Sequence, residues 1–345
     1  HRQFSSFHPL RKRWHMVADQ PVVQIENLTK KYGEFTALDS MTLQVRAGEI
    51  LGLIGPNGAG KTTTIKILVG LQRPTSGRAS IAGADCVTEA GKIKQLVGYM
   101  PDKFGSYENM RVSEYLDFFG AAFGIPRRTR IRRIDEVMET TNTAWMKDRY
   151  VDSLSHGMGQ RVGIARTMLH DPKVLILDEP ANGLDPQARI EMRELLLKLA
   201  GMGKTLLVTS HILPELARIC NRAAIMTQGK LRAYGTVEEI GRQVSQRRLV
   251  EIQVPESQVA EVARQTQALV EADAQVEPLP GEGLVRLTTS LNEEGLAQLL
   301  RKLVQGGLPI SQFREVQTDL EDAFMKFARD DAGKAAGKAK EASRG

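Results

Sequence analysis

A glycine-rich loop at residues 55–62 constrains the fold of this chain more than any other feature. Its sequence is GPNGAGKT, and it follows the apolar run ILGLI, which is Ile50–Ile54. A short apolar run bounded by glycines is typical of a buried strand, and a helical pattern begins at Lys61. Glycines let the backbone turn so that several N–H groups point inward. The order strand, loop, helix therefore predicts a cradle for an anion at a helix start.

The same loop has the side chains that bind a nucleoside triphosphate. It fits the pattern G-x-x-x-x-G-K-[ST], in which the lysine reaches the outer phosphates and the hydroxyl ligates Mg²⁺. Lys61 and Thr62 take these positions, and the flanking strand and helix favour this interpretation over a chance glycine turn. The residues predicted to bind the nucleotide are Gly55, Pro56, Asn57, Gly58, Ala59, Gly60, Lys61, Thr62 and Thr63.

A second buried strand ends in two acidic residues. Its sequence is VLILDEP, in which Asp178 and Glu179 follow the apolar run. Asp178 at the strand end is a candidate Mg²⁺ ligand, and Glu179 is a candidate general base for an attacking water. An acidic pair in this position can also be a simple strand cap. The presence of the phosphate loop favours the catalytic interpretation.

Strands and helices alternate over residues 21–240, with a third buried strand at TLLVTS. This order predicts a mostly parallel α/β sheet. Residues 110–170 have helical spacing throughout and are interpreted as a helical insert, whereas residues 241–328 have the order β-α-β-β-α-β of a ferredoxin-like unit, followed by a last helix. Residues 1–20 are expected to be a basic, disordered extension, and residues 329–345 a disordered tail.

The net charge of +6 resides in the two ends of the chain. Residues 1–16 have four basic residues and no acidic ones, and residues 329–345 have five basic against three acidic. The rest is balanced, so nucleic-acid binding is not expected. The chain has two cysteines, Cys86 and Cys220, which is typical of a reducing compartment. No run approaches the roughly 18 apolar residues of a membrane helix.

A third segment, LSHGMGQR at Leu154–Arg161, lies between the two motifs. Together the three segments resemble the ATP-binding subunits of ABC transporters, over roughly residues 21–240. The resemblance implies the ABC ATPase form of the P-loop NTPase fold, with an antiparallel β subdomain. The signature segment, Leu154 to Met158, has Leu-Ser-x-Gly, but Met158 replaces the usual glutamine. It would contact ATP held by a partner subunit through Leu154, Ser155, His156, Gly157 and Met158. Helix capping by Ser155 is the alternative, and the two roles are compatible.

The resemblance implies further site residues. Tyr32 would stack on adenine, unless it is only a strand-edge tyrosine. Asp185, in the loop that begins at Asn182, would signal across the dimer, and His211 would contact the γ-phosphate. Asp102 stands where the family usually has a glutamine, and an aspartate also offers oxygen ligands to Mg²⁺. The expected metal ligands are therefore Thr62, Asp178 and Asp102.

The resemblance also implies partners. The chain would form a homodimer, or pair with a related ATPase subunit, and energise a separate membrane permease from the cytoplasmic face of the cell membrane. The sequence around Asp102 and near residue 320 looks most like the ABC-2 type branch, whose members mostly drive export. The segment Phe104 to Tyr115 would dock the permease or pack in the core. The ferredoxin-like unit could bind a regulator, pair with its twin or act as a stabilising accessory. The alternative function is a soluble ABC ATPase in translation or nucleic-acid maintenance.

Overall fold

The computed structural model describes residues 21–102, 109–210, 216–244 and 248–316. The chain divides into two compact units, the first ending at Tyr234 and the second beginning at Gly235. The predicted extension over residues 1–20, the helix near residue 320 and the tail lie outside the described residues. Within the described parts, no helix is both long enough and apolar enough to cross a bilayer.

The first unit combines strands and helices in alternation. Its strands are β1 (Pro21–Tyr32), β2 (Phe35–Arg46), β3 (Ile50–Ile54), β4 (Ser76–Ile81), β5 (Ala84–Asp85), β6 (Val97–Met100), β7 (Val174–Leu177), β8 (Thr205–Ser210), β9 (Arg222–Thr227) and β10 (Lys230–Gly235). Its helices are α1 (Lys61–Leu68), α2 (Ala90–Leu96), α3 (Val112–Ala122), α4 (Arg127–Thr140), α5 (His156–Met168) and α6 (Pro186–Gly201).

The central sheet has the order β10-β9-β3-β8-β7-β6. The pairs β3–β8, β3–β9, β7–β8 and β6–β7 are parallel. Every residue of β3, β7 and β8 is buried, which explains why these strands are continuous apolar runs in the sequence. Because parallel strands end at one edge of a sheet, the segments after β3, β7 and β8 meet there, and ligands of open α/β sheets bind at this edge.

A second, antiparallel sheet has the order β2-β1-β4-β5. Val23 and Ile25 of β1 belong to the same hydrophobic core as Leu51 and Leu53 of the central sheet. The predicted antiparallel subdomain is therefore confirmed. The predicted helical insert is also confirmed, since α3, α4 and α5 occupy most of residues 112–168.

The second unit contains the helices α7 (Val237–Val244), α8 (Val259–Leu269) and α9 (Glu293–Gln305) and the strands β11 (Arg248–Gln253), β12 (Gln275–Leu279), β13 (Leu284–Thr289) and β14 (Gln312–Val316). The strands form an antiparallel sheet in the order β12-β13-β11-β14. Its core joins Val250 and Leu287 of the sheet to Val262 of α8 and Leu299 of α9. This topology is the predicted ferredoxin-like one.

Candidate functional site

The phosphate loop, Gly55–Thr62, is held in a shape that side chains would prevent. A Cβ atom at Gly55 would lie 2.5 Å from the carbonyl oxygen of Met226, and one at Gly60 would lie 2.7 Å from that of Ala37. Gly60 has φ +105° and precedes α1 directly, and no side chain caps that helix. The first N–H groups of α1 therefore have no side-chain acceptor, which leaves them available to an anion.

Lys61 lies inside the loop. It is buried, and its Nζ donates to the carbonyl oxygens of Gly55 at 2.6 Å and Pro56 at 3.3 Å. Burial lowers the pKa of Lys61, and the nearby carboxylates of Glu179 and Asp178 oppose this shift. A buried cation enclosed by carbonyl groups is suited to a phosphate oxygen, because a phosphate would replace these bonds with charged ones.

The acidic pair follows β7 at the same edge of the sheet. Asp178 is 7% exposed, and its Oδ1 accepts a hydrogen bond of 2.6 Å from the hydroxyl of Thr209 on β8. Burial raises the pKa of Asp178, and the charges of Glu179 and Asp102 add to this, whereas the Thr209 bond and Lys61 oppose it. Burial also raises the pKa of Tyr99 to about 12, with Asp178 and Asp102 contributing. The carboxylates of Asp178, Glu179 and Asp102 thus lie close to one another, and the charge of Lys61 opposes theirs.

Glu179 has an unusual backbone conformation. Its φ is +54°, in the left-handed region that non-glycine residues rarely adopt, at a cost of about 1–3 kcal/mol. Its backbone N–H donates to the Thr209 hydroxyl at 2.9 Å. One buried hydroxyl therefore accepts from Glu179 and donates to Asp178. Thr209 has no distinctive signal in the sequence, because it is one of three hydroxyl residues in the strand TLLVTS.

The donor set suits Mg²⁺. Asp178 and Asp102 supply carboxylate oxygens, and Thr62 is exposed in the first turn of α1. Mg²⁺ prefers hard oxygen ligands of this kind. The charges that raise the pKa of Asp178 are those that a bound cation would compensate.

Asp102 is connected to the signature segment through Asn182. Its Oδ1 accepts from the Asn182 side-chain amide at 3.4 Å, and the Asn182 carbonyl oxygen accepts from Nε2 of His156 at 2.8 Å. The His156 ring also lies 3.5 Å from the place that a Cβ at Gly183 would occupy. Asp102, which departs from the family pattern, is thus joined to the signature segment within one chain.

The signature segment opens α5. The Ser155 Oγ accepts from the backbone N–H of Met158 at 3.4 Å, so the capping role of Ser155 is present. A Cβ at Gly157 would lie 3.3 Å from that of Ala188, which shows close packing of the segment against α6. Asp185 caps α6 by accepting from the N–H of Ala188 at 2.9 Å. These capping contacts do not test the roles that Ser155 and Asp185 are predicted to have toward a partner subunit, so those roles stay predictions.

Tyr32 lies at the end of β1 and is 46% exposed. Lys30 Nζ lies 5.0 Å from its ring centroid, and Gln72 donates to its hydroxyl. The ring is thus held in place with surface available for stacking. His211 and residues 103–108 lie outside the described residues. Tyr115, at the end of the aromatic segment, is fully buried and its hydroxyl accepts from Arg166 at 3.1 Å, so this residue packs in the core rather than facing a partner.

Comparison with known proteins identifies the family. A sequence model described as ABC transporter matches residues 38–182. The probable multidrug ABC transporter ATP-binding protein YbhF of Escherichia coli is 38% identical over 68% of this chain, but the match spans only 41% of YbhF. Nod factor export ATP-binding protein I of Ralstonia nicotianae is also 38% identical, over 65% of this chain and 70% of its own length.

One of these similarities extends over most of this chain and nearly all of the relative. Bacitracin transport ATP-binding protein BcrA of Bacillus licheniformis is 33% identical over 89% of this chain and 97% of its own length. A solved ATP-binding subunit of an ABC transporter superposes with a TM-score of 0.59 and 31% identity, over 64% of this chain and 92% of its own. The predicted fold class is thereby confirmed, and the chain belongs to the ATP-binding proteins of the ABC transporter family.

Proposed function

We propose that this chain binds and hydrolyses ATP as the energising subunit of an exporter whose membrane permease is a separate chain. The observation that carries the proposal is the meeting of the buried Lys61 with Asp178 and Glu179 at one sheet edge. The relatives described above are named for multidrug transport, Nod factor export and bacitracin transport. None of them is named for translation or nucleic-acid maintenance, which leaves the export reading ahead of that alternative.

Each residue of the site has a defined task in this proposal. The phosphate loop and Lys61 bind the β- and γ-phosphates, and Tyr32 stacks on adenine. Glu179 accepts a proton from the attacking water, and His211 contacts the γ-phosphate. Asp178, Asp102 and Thr62 would hold Mg²⁺, which, when bound, neutralises charge on the phosphate oxygens. Phosphoryl transfer depends mainly on such positioning and charge stabilisation.

The site is half of a composite site in this proposal. Ser155 and the N–H groups at the start of α5 lie at a helix N-terminus, where an anion is favoured. The γ-phosphate held by a second copy would bind there, so ATP closes a homodimer and hydrolysis opens it. Asp185 follows the Glu179 loop and would report on this closure. A related ATPase subunit could take the place of the second copy. The dimer would work as a peripheral assembly on the cytoplasmic face of the membrane.

The test is ATP hydrolysis by the purified chain with Mg²⁺. Lys61→Ala and Glu179→Gln should each lower kcat by at least roughly 100-fold, the scale of a lost phosphate ligand or general base. Lys66→Ala is a matched control, because Lys66 is an exposed lysine in the last turn of the same helix. Equal activity in the Lys61→Ala and Lys66→Ala variants would contradict the proposal.

A further inference from the structure

The first two turns of helix α4 contain a cluster of positive charges that is unfavourable for the stability of the helix. Residues 127–133 have the sequence RRTRIRR, with five arginines in seven positions. The helix has no acidic residue in its first turn, and no side chain caps it after Pro126. A helix N-terminus is itself partially positive, so each cation in the first turn is unfavourable for the helix. Helix formation does not account for this arrangement.

Two of the five arginines are engaged within the fold. Arg130 Nε donates to Asp117 at 2.6 Å, and Arg133 Nη2 donates to the carbonyl oxygen of Met168 at 2.9 Å and to Asp171 at 3.0 Å. These residues fasten α4 to its neighbours, and they are unavailable for another partner.

The other three arginines face outward. Arg132 is 76% exposed and lies 3.6 Å from Glu136. Arg127 and Arg128 are exposed, and no carboxylate of the described residues lies within 4.0 Å of either. The nearby acidic residues Asp117 and Asp135 already bind Arg130 and Lys147. The unpaired positive charge is therefore concentrated at Arg127 and Arg128, whereas the groove beside them is also lined by the carboxylates of Glu114, Asp117 and Asp135.

Large apolar side chains lie beside these arginines. Ile131, one turn after Arg127, is 53% exposed, and Phe118 and Phe123 are each 43% exposed. Ile131 and Phe118 line the same groove between α3 and α4. We call this surface the α4 patch; it consists of Phe118, Phe123, Arg127, Arg128, Ile131 and Arg132.

We propose that the α4 patch binds the anionic headgroups of a membrane surface directly. Guanidinium groups bind phosphate oxygens with two parallel hydrogen bonds, and they retain their charge at any physiological pH. Aromatic and aliphatic side chains among cations are typical of protein surfaces that lie at the boundary between headgroups and acyl chains. The aliphatic Ile131 within the patch is suited to hydrocarbon rather than to a stacked nucleic-acid base. This lipid contact adds to any attachment through a permease, and it requires neither ATP nor a partner chain.

Vesicle flotation with the chain of residues 1–345 tests the proposal. We expect binding to vesicles of phosphatidylcholine with phosphatidylglycerol, weak binding to phosphatidylcholine alone, and release at high salt. Each arginine at such a surface contributes on the order of 1 kcal/mol, so Arg127→Gln with Arg128→Gln should lower the partition coefficient about 30-fold. Ile131→Ser should weaken binding without changing its salt dependence.

The matched control is Arg301→Gln with Lys302→Gln, which removes two adjacent exposed cations from α9 and changes the net charge equally. This variant should bind vesicles as the unchanged chain does. Equal binding by the two double variants would overturn the proposal. So would equal binding to neutral and anionic vesicles, or a preference for duplex DNA over anionic vesicles that the Arg127→Gln/Arg128→Gln variant loses. Melting temperature checks the fold, and it should stay constant or rise, because the substitution removes unfavourable charges at a helix start.

Discussion

Replacement of Thr209 by valine should disable the site while preserving the shape of its core. Thr209 is fully buried, and its hydroxyl bridges the Glu179 N–H at 2.9 Å and the Asp178 carboxylate at 2.6 Å. Valine fills nearly the same volume but neither donates nor accepts. The substitution leaves one buried carboxylate oxygen and one backbone N–H without this partner.

The two losses set the expected magnitude. A hydrogen bond to a charged group contributes about 1.5–3 kcal/mol and an ordinary one about 1 kcal/mol, so the free energy of unfolding should fall by roughly 2.5–4 kcal/mol. For a unit of this size, that corresponds to a fall in melting temperature of roughly 5–15 °C. The turnover number kcat should fall roughly 10- to 100-fold, because the strained backbone of Glu179 loses the bond that fixes it and small displacements of a catalytic group are costly.

The assay compares thermal unfolding without nucleotide and ATPase activity in matched variants. Thr205→Val is the control, because Thr205 is buried at the start of the same strand and its hydroxyl accepts a single bond of 3.0 Å from Gly48, away from the acidic pair. It should lower stability by about 1 kcal/mol and leave kcat unchanged. Thr209→Ser should restore most of both quantities. If Thr209→Val costs no more stability than Thr205→Val and retains full turnover, the bridging role of Thr209 is wrong.

Substitutions at three further positions test other parts of the site. Because burial raises the pKa of Asp178 in the folded protein, folding is favoured by protonation of this group, and that contribution is present below the unfolded pKa of 3.8 and lost as pH rises through the higher folded value. Asp178→Asn should therefore raise the melting temperature of the metal-free protein at pH 7 but not at pH 3, and a loss of stability at pH 7 would contradict this. Asp102→Gln should change kcat and its Mg²⁺ dependence, since it removes a charge and changes the contact with Asn182; unchanged kinetics would make Asp102 a bystander. His156→Phe keeps the ring volume but removes the 2.8 Å bond to the Asn182 carbonyl, so it should lower stability by about 1 kcal/mol in thermal unfolding and reduce turnover, whereas His156→Gln, which retains a donor, should be milder.

The features that the sequence predicted correctly are local ones. The apolar runs of β3, β7 and β8 indicate buried parallel strands because both faces of each strand are covered. The β-α-β-β-α-β order of the second unit is likewise visible as a change of periodicity along the chain. The capping role of Asp185 could also have been predicted, since an aspartate directly before a proline at a helix start is a typical N-terminal signal.

The contacts that the sequence did not predict join residues far apart in the chain. Thr209 meets Asp178 only because β7 and β8 are parallel neighbours, in the register that pairs Leu177 with Val208. A threonine in a buried strand is ordinary in sequence, and its role depends on that pairing. Asp102 and Asn182 are 80 positions apart, and they meet because β6 and β7, the strands that precede them, are also parallel neighbours. Tyr115 is a related case, because an aromatic residue has the same appearance in sequence whether it docks a partner or fills a core.

In the proposed mechanism two copies of this chain share each ATP, and the molar mass of the Glu179→Gln variant in solution decides whether they do. The chain has a mass of 38.1 kDa. Without nucleotide, light scattering should give this monomer mass; with saturating ATP and Mg²⁺, the mass should double, because the slowed hydrolysis leaves the dimer closed. Lys61→Ala in the same background should remain monomeric. A monomer mass for Glu179→Gln at saturating ATP, with ATP shown to be bound, would contradict the account.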